Sequence, residues 1–544
     1  MGAKVNRLAG LWVVPLAVAV GVATAAGQDL RLVSAAGVQD QDAVRMLVDA
    51  GLDVNTSRAD GVTALLWAAH WDDLDTADLL LRAGATINAA DDHGVTPLER
   101  AAENASLVMV EKLLAAGADA NVARTSGLTP LMTAGRTGNV QVVRALLVHG
   151  ADVNAVTNET KSTALMWAVA ESHLDVVRTL LEGGADPHTS TAKGFTPLLF
   201  AADNGDIEMA ETLIAAGVDV NEAGADGTHA LPYAIVTGQD RFALFLLEQG
   251  ADPNGSMGGI HALHAAAGSV DAWLGDWRRR HGDGQRRSNF GRRGLDPSRG
   301  FLVVKALLAR GADPNARITT SAMFMRYIGY PRKGAFEPFA CGTGDLRGAT
   351  PLWVAAYAAN RPTVSRLLRD APLTGSTASA YTKGSSEIIQ TLLEAGADQH
   401  LTTDDGTTPF MAAAGLGRST YRPREPRGVR SPSAEEGVKI LLEGGADINA
   451  VNEADFTALH GAAFRGLNEV LEYLVIQGAD INARDFRGRT AYRMAEGSKQ
   501  SFQFQSWPET AEFLKQLGAN TRLGIPGTVQ ERLRDGPVDV DATQ

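Results

Sequence analysis

The chain has 544 residues, 45% of them hydrophobic and 21% charged, a balance that excludes a disordered polymer. Its 63 acidic residues outnumber 50 basic ones, and the net charge of −13 argues against nucleic acid as the main partner, because phosphate binding needs basic surface. The single cysteine, Cys341, excludes both a disulfide framework and a thiolate metal cluster.

Residues 1–25 have the layout of a secretory signal peptide. Lys4 and Arg7 supply positive charge, Leu8 to Val22 is uncharged, and Ala23-Thr24-Ala25 gives a small-residue exit. The expectation is cleavage after Ala25 and an exported product, periplasmic or extracellular. The competing expectation is an uncleaved membrane tether, since Leu8 to Ala26 is just long enough to span a bilayer.

Beyond the leader, a six-residue tag recurs. It reads AGLDVN at 50–55, AGATIN at 83–88, AGADAN at 116–121, HGADVN at 149–154, and continues to QGADIN at 477–482. The tag glycines from Gly51 to Gly250 are spaced by 33 or 34 residues. A second motif lies upstream of each tag: TALLWAA at 63, TPLERAA at 96, TPLMTAG at 129, TPLLFAA at 196, TPLWVAA at 350 and TALHGAA at 457. Thr at a helix start caps free backbone N–H groups, and the following Pro sits where its missing N–H is harmless. The tag glycine ends the second helix in a left-handed conformation. A single unit cannot bury its apolar face, so neighbours must stack.

These motifs and their period resemble the ankyrin-repeat family over about residues 29–519. The resemblance implies an all-α fold, a solenoid of about twelve helix–turn–helix units with short β-hairpin fingers over 26–519, followed by a flexible tail at 520–544. It also implies a non-enzymatic scaffold, here expected as a monomer, that binds a protein through its concave face and fingers.

The period breaks in the second half. Extra residues fall near 268–299, 318–348, 361–384 and 415–433. Three of these lie between the helices of a unit and are expected together on the edge opposite the fingers, while 318–348 enlarges one finger. The stretches 278–299, 317–347, 361–384 and 418–430 carry 22 basic against 6 acidic residues, a net of +16, leaving −29 on the rest. Two readings stand: solvated surface loops, or a platform for an anionic partner, such as an acidic protein, an anionic polymer or a membrane surface, through Arg278, Arg279, Arg280, Arg286, Arg287, Arg422 and Arg424. The enlarged finger also holds Phe324, Tyr327, Tyr330, Phe336 and Phe339, which either pack on the stack or anchor a partner. An enzyme site on that finger is a further alternative.

No fingerprint of catalysis or cofactor binding appears, and no cofactor, metal or catalytic residue is expected. His261 and His264 stand at i, i+3, but without a companion carboxylate motif. His264 and His460 occupy the position where the family uses His to bond neighbouring turns. Trp67, Trp167, Phe200 and Tyr233 recur four residues after helix starts and read as inter-repeat packing. The resemblance places partner contacts at finger tips and at the ends of first helices. Here those are His70, Trp71, Asp92, His93, Glu103, Asn104, Arg136, Thr137, Glu171, Asp203, Asn204, Tyr357, Phe464 and Arg465. Trp71 and Tyr357 are the expected anchors, because exposed aromatics dominate protein interfaces.

Overall fold

A computed structural model describes residues 29–271, 273–281, 294–295, 297–320, 347–359, 375–416, 431–485, 488–497 and 507–523, with 375–384 and 497 as backbone only. Residues 1–28, most of the enlarged finger, the arginine-rich stretches 282–293 and 417–430, and the tail from 524 lie outside it. The chain divides into two compact blocks at Thr125/Ser126.

In the first block three helix pairs stack. They are Arg31–Gly37 with Gln41–Asp49, Ala64–Trp71 with Leu74–Arg82, and Pro97–Glu103 with Leu107–Ala115. The predicted cap works as expected: Thr63 and Thr96 accept the N–H of Leu66 and Glu99, each at 3.2 Å. Asp73 and Ser106 cap the second helices in the same way. Leu65, Ala68, Ala69, Ala101 and Ala102 are buried, and such small side chains let neighbouring helices approach closely.

The second block repeats the pattern from Pro130–Thr137 through Pro508–Gln516. Thr129, Thr163, Thr196 and Thr408 cap their helices. The fingers are tighter than the expected hairpins. Among the described residues only Ser256–Met257 pairs with Ile260–His261 as a ladder, while Ser57–Thr63 and Ala223–His229 form single bridges. Most fingers instead close with a turn bond, such as Asp91 N–H to Val95 O at 3.1 Å and Thr191 N–H to Phe195 O at 2.9 Å. Four or five residues leave no room for more rungs.

Glycine is required for two different reasons. A Cβ on Gly84 would touch nothing, but φ is +87°, so the left-handed backbone alone selects glycine. At the finger tip, Gly61 also has φ +80°, and a Cβ there would come within 2.9 Å of the Asp91 backbone.

The tag asparagine connects one unit to the next. Asn154 donates through Nδ2 to Gly184 O at 3.1 Å, and its Oδ1 accepts from Asp186 N–H at 2.8 Å. The same clasp joins Asn55 to Gly84 and Thr86, and Asn221 to Gly250 and Asp252. It survives the insertions. Asn254 reaches Gly311 and Asp313, and Asn315 reaches Gly396 and Asp398. Where the tag reads AGADQH, the Gln399 amide donates to Gly444 O instead.

One insertion departs from the expected edge, and another lengthens a second helix. Residues 375–384 continue a helix, Gly375–Glu394, which at 20 residues exceeds the nine of a regular second helix such as Ile207–Ala215. Part of the first insertion forms a helix, Gly275–His281, that reaches the fingers. The reason is apolar surface: Val270, Trp273, Leu274 and Trp277 are buried.

His264 is wholly buried and bonds three finger segments. Its Nδ1 accepts from His261 N–H at 3.2 Å, and Nε2–H donates to Ala316 O at 3.0 Å and Ala349 O at 3.1 Å. Burial, reinforced by nearby His261, pushes its pKa down to about 3. His460 is likewise lowered by burial and spans Thr457 N–H and Arg489 O.

Two outcomes are expected. Asn154→Ala removes both arms of one clasp and should lower stability by about 1–2 kcal/mol in urea titration. Val148→Thr, at a side chain 82% exposed, should be neutral. The folded pKa of His264 lies below its unfolded value of 6.5, so its contribution is complete above pH 6.5 and lost as pH falls toward 3. Between pH 6.5 and 5 it should cost about 2 kcal/mol, read as a falling urea midpoint whose slope flattens in His264→Gln.

Candidate functional site

In the first block, helical spacing places Trp67, His70 and Trp71 together on one helix. The two indoles are nearly parallel, 6.1 Å apart at 13°. His70 meets both edge-on, at 5.4 and 4.6 Å. Trp71 Nε1–H donates to Gly37 O at 3.1 Å, so the ring is held although the residue is 43% exposed. A Cβ on Gly37 would make ordinary contact with the Trp67 ring, 3.4 Å away. Burial, then the nearby Arg100 charge, lowers the His70 pKa and favours its neutral form.

Beside this cluster lies a charged one. Glu99 is 1% exposed and accepts from Arg124 Nε at 2.9 Å. Glu103 meets Arg100 at 2.8 Å and Arg124 at 3.5 Å. Asp92 and His93 are exposed at a finger tip, where their backbones join neighbouring fingers through Asp60 O and Thr125 N–H, each at 3.0 Å.

Several expected contact residues have structural duties. Asn104 donates to Ala69 O and His70 O, and Asn204 to Val169 O and Ala170 O, so each closes the end of the preceding first helix. Asp203 accepts from the Tyr233 hydroxyl at 3.1 Å, and Thr137 donates to Ala134 O. Arg136 and Glu171 are exposed, and the Arg136 carbonyl is bonded by His173. Tyr357 is half-buried and stacks on Trp353 at 5.2 Å. Phe464 is corrected outright. It is 3% exposed, packed in a core with Met411, Leu416, Phe456 and Met494, so its side chain is not offered to a partner. Arg465 beside it is half-buried.

In the second block the insertion helix covers part of the first-helix surface. Trp277 Nε1–H donates to Thr228 Oγ1 at 2.8 Å, and its ring lies 5.7 Å from Tyr233 and 6.2 Å from Phe195. His281 stacks on Trp277 at 4.1 Å and faces Asp226 at 3.2 Å. Tyr233 is therefore roofed by a residue 44 positions away. The alternation of Trp273 and Trp277 at helical spacing was the available sequence signal, hidden by the arginines around it.

The basic platform is reduced by pairing. Arg278 meets Asp271, Arg279 meets Asp276, and Arg299 bonds Asp240, whose carboxyl is held below its usual range by that contact. Arg317 and Arg347 both face Asp404, at 3.8 and 2.6 Å. Arg286, Arg287, Arg422 and Arg424, and the five finger aromatics with Cys341, lie outside the described residues. Among the described residues no three His, Cys, Asp or Glu are grouped to hold a metal ion, and no helix is long and apolar enough to cross a membrane.

Comparison with known proteins gives a consistent picture. The model for "Ankyrin repeats (3 copies)" matches residues 32–124, 98–191, 184–257 and 376–485. Human ankyrin repeat and SOCS box protein 16 is 34% identical over 145 residues, 26% of this chain and 28% of that protein. BRCA1-associated RING domain protein 1 of Caenorhabditis elegans is 43% identical over 94 residues, 17% of this chain and 11% of its own length. The matches thus span under a third of one relative and about a tenth of the other. The crystal structure of the human ASB11 ankyrin repeat domain aligns at 28% identity with a TM-score of 0.37, covering 40% of this chain and 97% of that domain. The matched segments together exceed half of the sequence, and with the capped helix pairs and tag clasps they establish that the chain belongs to the ankyrin-repeat family.

Proposed function

We propose that this protein is a non-enzymatic scaffold that docks another protein on its first-helix and finger surface. Ankyrin repeats generally mediate protein–protein interaction, and the observation that carries the reading here is the Trp67–His70–Trp71 cluster. A half-exposed indole already fixed by a hydrogen bond loses little freedom on binding, which is what an interface anchor requires. Residues 29–125 carry 16 acidic against 7 basic residues, so the partner's face at this cluster is expected to bring Lys or Arg. Neutral His70 adds no opposing charge.

The test is crosslinking of the full chain in its native extract, with mass-spectrometric identification of adducts. Trp71→Ala should lose the adduct by about tenfold or more and Trp71→Phe should retain most of it, while thermal melts check that each variant stays folded without the Gly37 bond. Adducts indifferent to Trp71→Ala would overturn the reading.

Export is part of the same proposal. It rests on Lys4 and Arg7, the uncharged run Leu8 to Val22 and the Ala23-Thr24-Ala25 exit. N-terminal sequencing of the exported pool should begin at Ala26. An intact Met1 terminus in the membrane fraction would support the tethered alternative, and one in the cytosol would refute export.

A further inference from the structure

We propose that the cleft between the insertion helix and the finger row of the second block binds a short acidic segment of a protein partner. This rests on the scaffold reading and adds a second contact of opposite charge preference.

The helix Gly275–His281 presents two adjacent faces. Trp277 and His281, at i and i+4, pack on the stack. Asp276, Arg279 and Arg280, at i, i+3 and i+4, line a cleft of about 870 Å³. The opposite wall is built from fingers, through Ser256, Gly258, Gly259, Thr319 and Thr320. The glycines shape it. Gly258 and Gly259 have φ of +53° and +83°, and a Cβ on Gly258 would reach 3.1 Å from Trp277. A Cβ on Gly259 would reach 2.7 Å from Thr319 Oγ1. The bare hairpin tip lets the helix come close and leaves the wall as backbone and small hydroxyls.

Charge selects the ligand. Asp226, at the cleft edge, faces His281 at 3.2 Å. Asp276 is taken by Arg279, but that pair is 71% and 62% exposed and so is weakly held. Arg280 is exposed and has no ion pair among the described residues. A carboxylate entering here finds an uncommitted guanidinium, a second one bound only to an exposed partner, and the hydroxyls of Ser256, Thr319 and Thr320. That set suits charge-assisted, two-pronged hydrogen bonding. The volume exceeds what one inorganic ion needs and is in the range of a short peptide or small organic ligand.

The probe is a fluorescein-labelled hexaglutamate titrated with the full chain at low salt, followed by anisotropy. Binding is expected, weakening steeply with salt. Arg280→Ala should weaken it about tenfold and Arg280→Glu should abolish it, while Arg278→Ala, already tied to Asp271, should change it less than about twofold. Melting curves of each variant check the fold. Trp71→Ala should leave hexaglutamate binding intact, so failure here and failure of the scaffold reading are separable. Absence of binding, or equal binding by Arg280→Glu, overturns the proposal. Competition by a sulfated polysaccharide at lower concentration than hexaglutamate would reassign the cleft to an anionic polymer and equally overturn it.

Discussion

The clasp from each tag asparagine to the next tag is the interaction on which the repeat architecture depends. One amide side chain satisfies a glycine carbonyl and a backbone N–H in the following unit, as Asn154 does for Gly184 and Asp186. Those two groups lie just past the helix Leu174–Glu182, whose last carbonyls are already bonded by the N–H groups of Gly183, Gly184 and Ala185. The clasp therefore ties one tag to the next and fixes the spacing between neighbouring units. Helix packing alone is less selective, because rows of alanine and leucine tolerate small slides.

This explains how the second block absorbs its extra residues. Asn254 finds Gly311 across 57 positions and Asn315 finds Gly396 across 81, yet the local geometry matches that of uninterrupted neighbours. Looping out residues between fixed ends costs free energy only logarithmically in their number. The insertions are then free to acquire structure of their own. The segment around Trp273 and Trp277 does so by burying two indoles against the stack, converting an apparently basic loop into part of the surface.

The two blocks carry different chemistry. The first has an excess of carboxylates around a fixed aromatic group, while the insertion region of the second has an excess of guanidinium groups. Much of that basic charge is internally compensated, by Asp271, Asp276, Asp240 and Asp404. Formal charge along a sequence is a poor measure of what a surface offers, since each ion pair withdraws two residues from recognition.

What the sequence determined by itself was everything that repeats: the caps at Thr63, Thr96 and Thr129, the left-handed glycines, and the buried bridging role of His264 and His460. These are local interactions, or contacts with the next copy of the same motif, so one period contains the information. What only the tertiary structure decided was the fate of residues outside the period. Phe464 sits at the end-of-helix position that His70 holds in the first block yet is buried, because Met411, Leu416 and Met494 close over it. Trp277 roofs Tyr233, and Arg280 alone of its triplet lacks an ion pair among the described residues, through contacts whose partners no spacing rule connects. Packing and charge pairing between distant segments depend on where the chain returns, and only the folded molecule sets that.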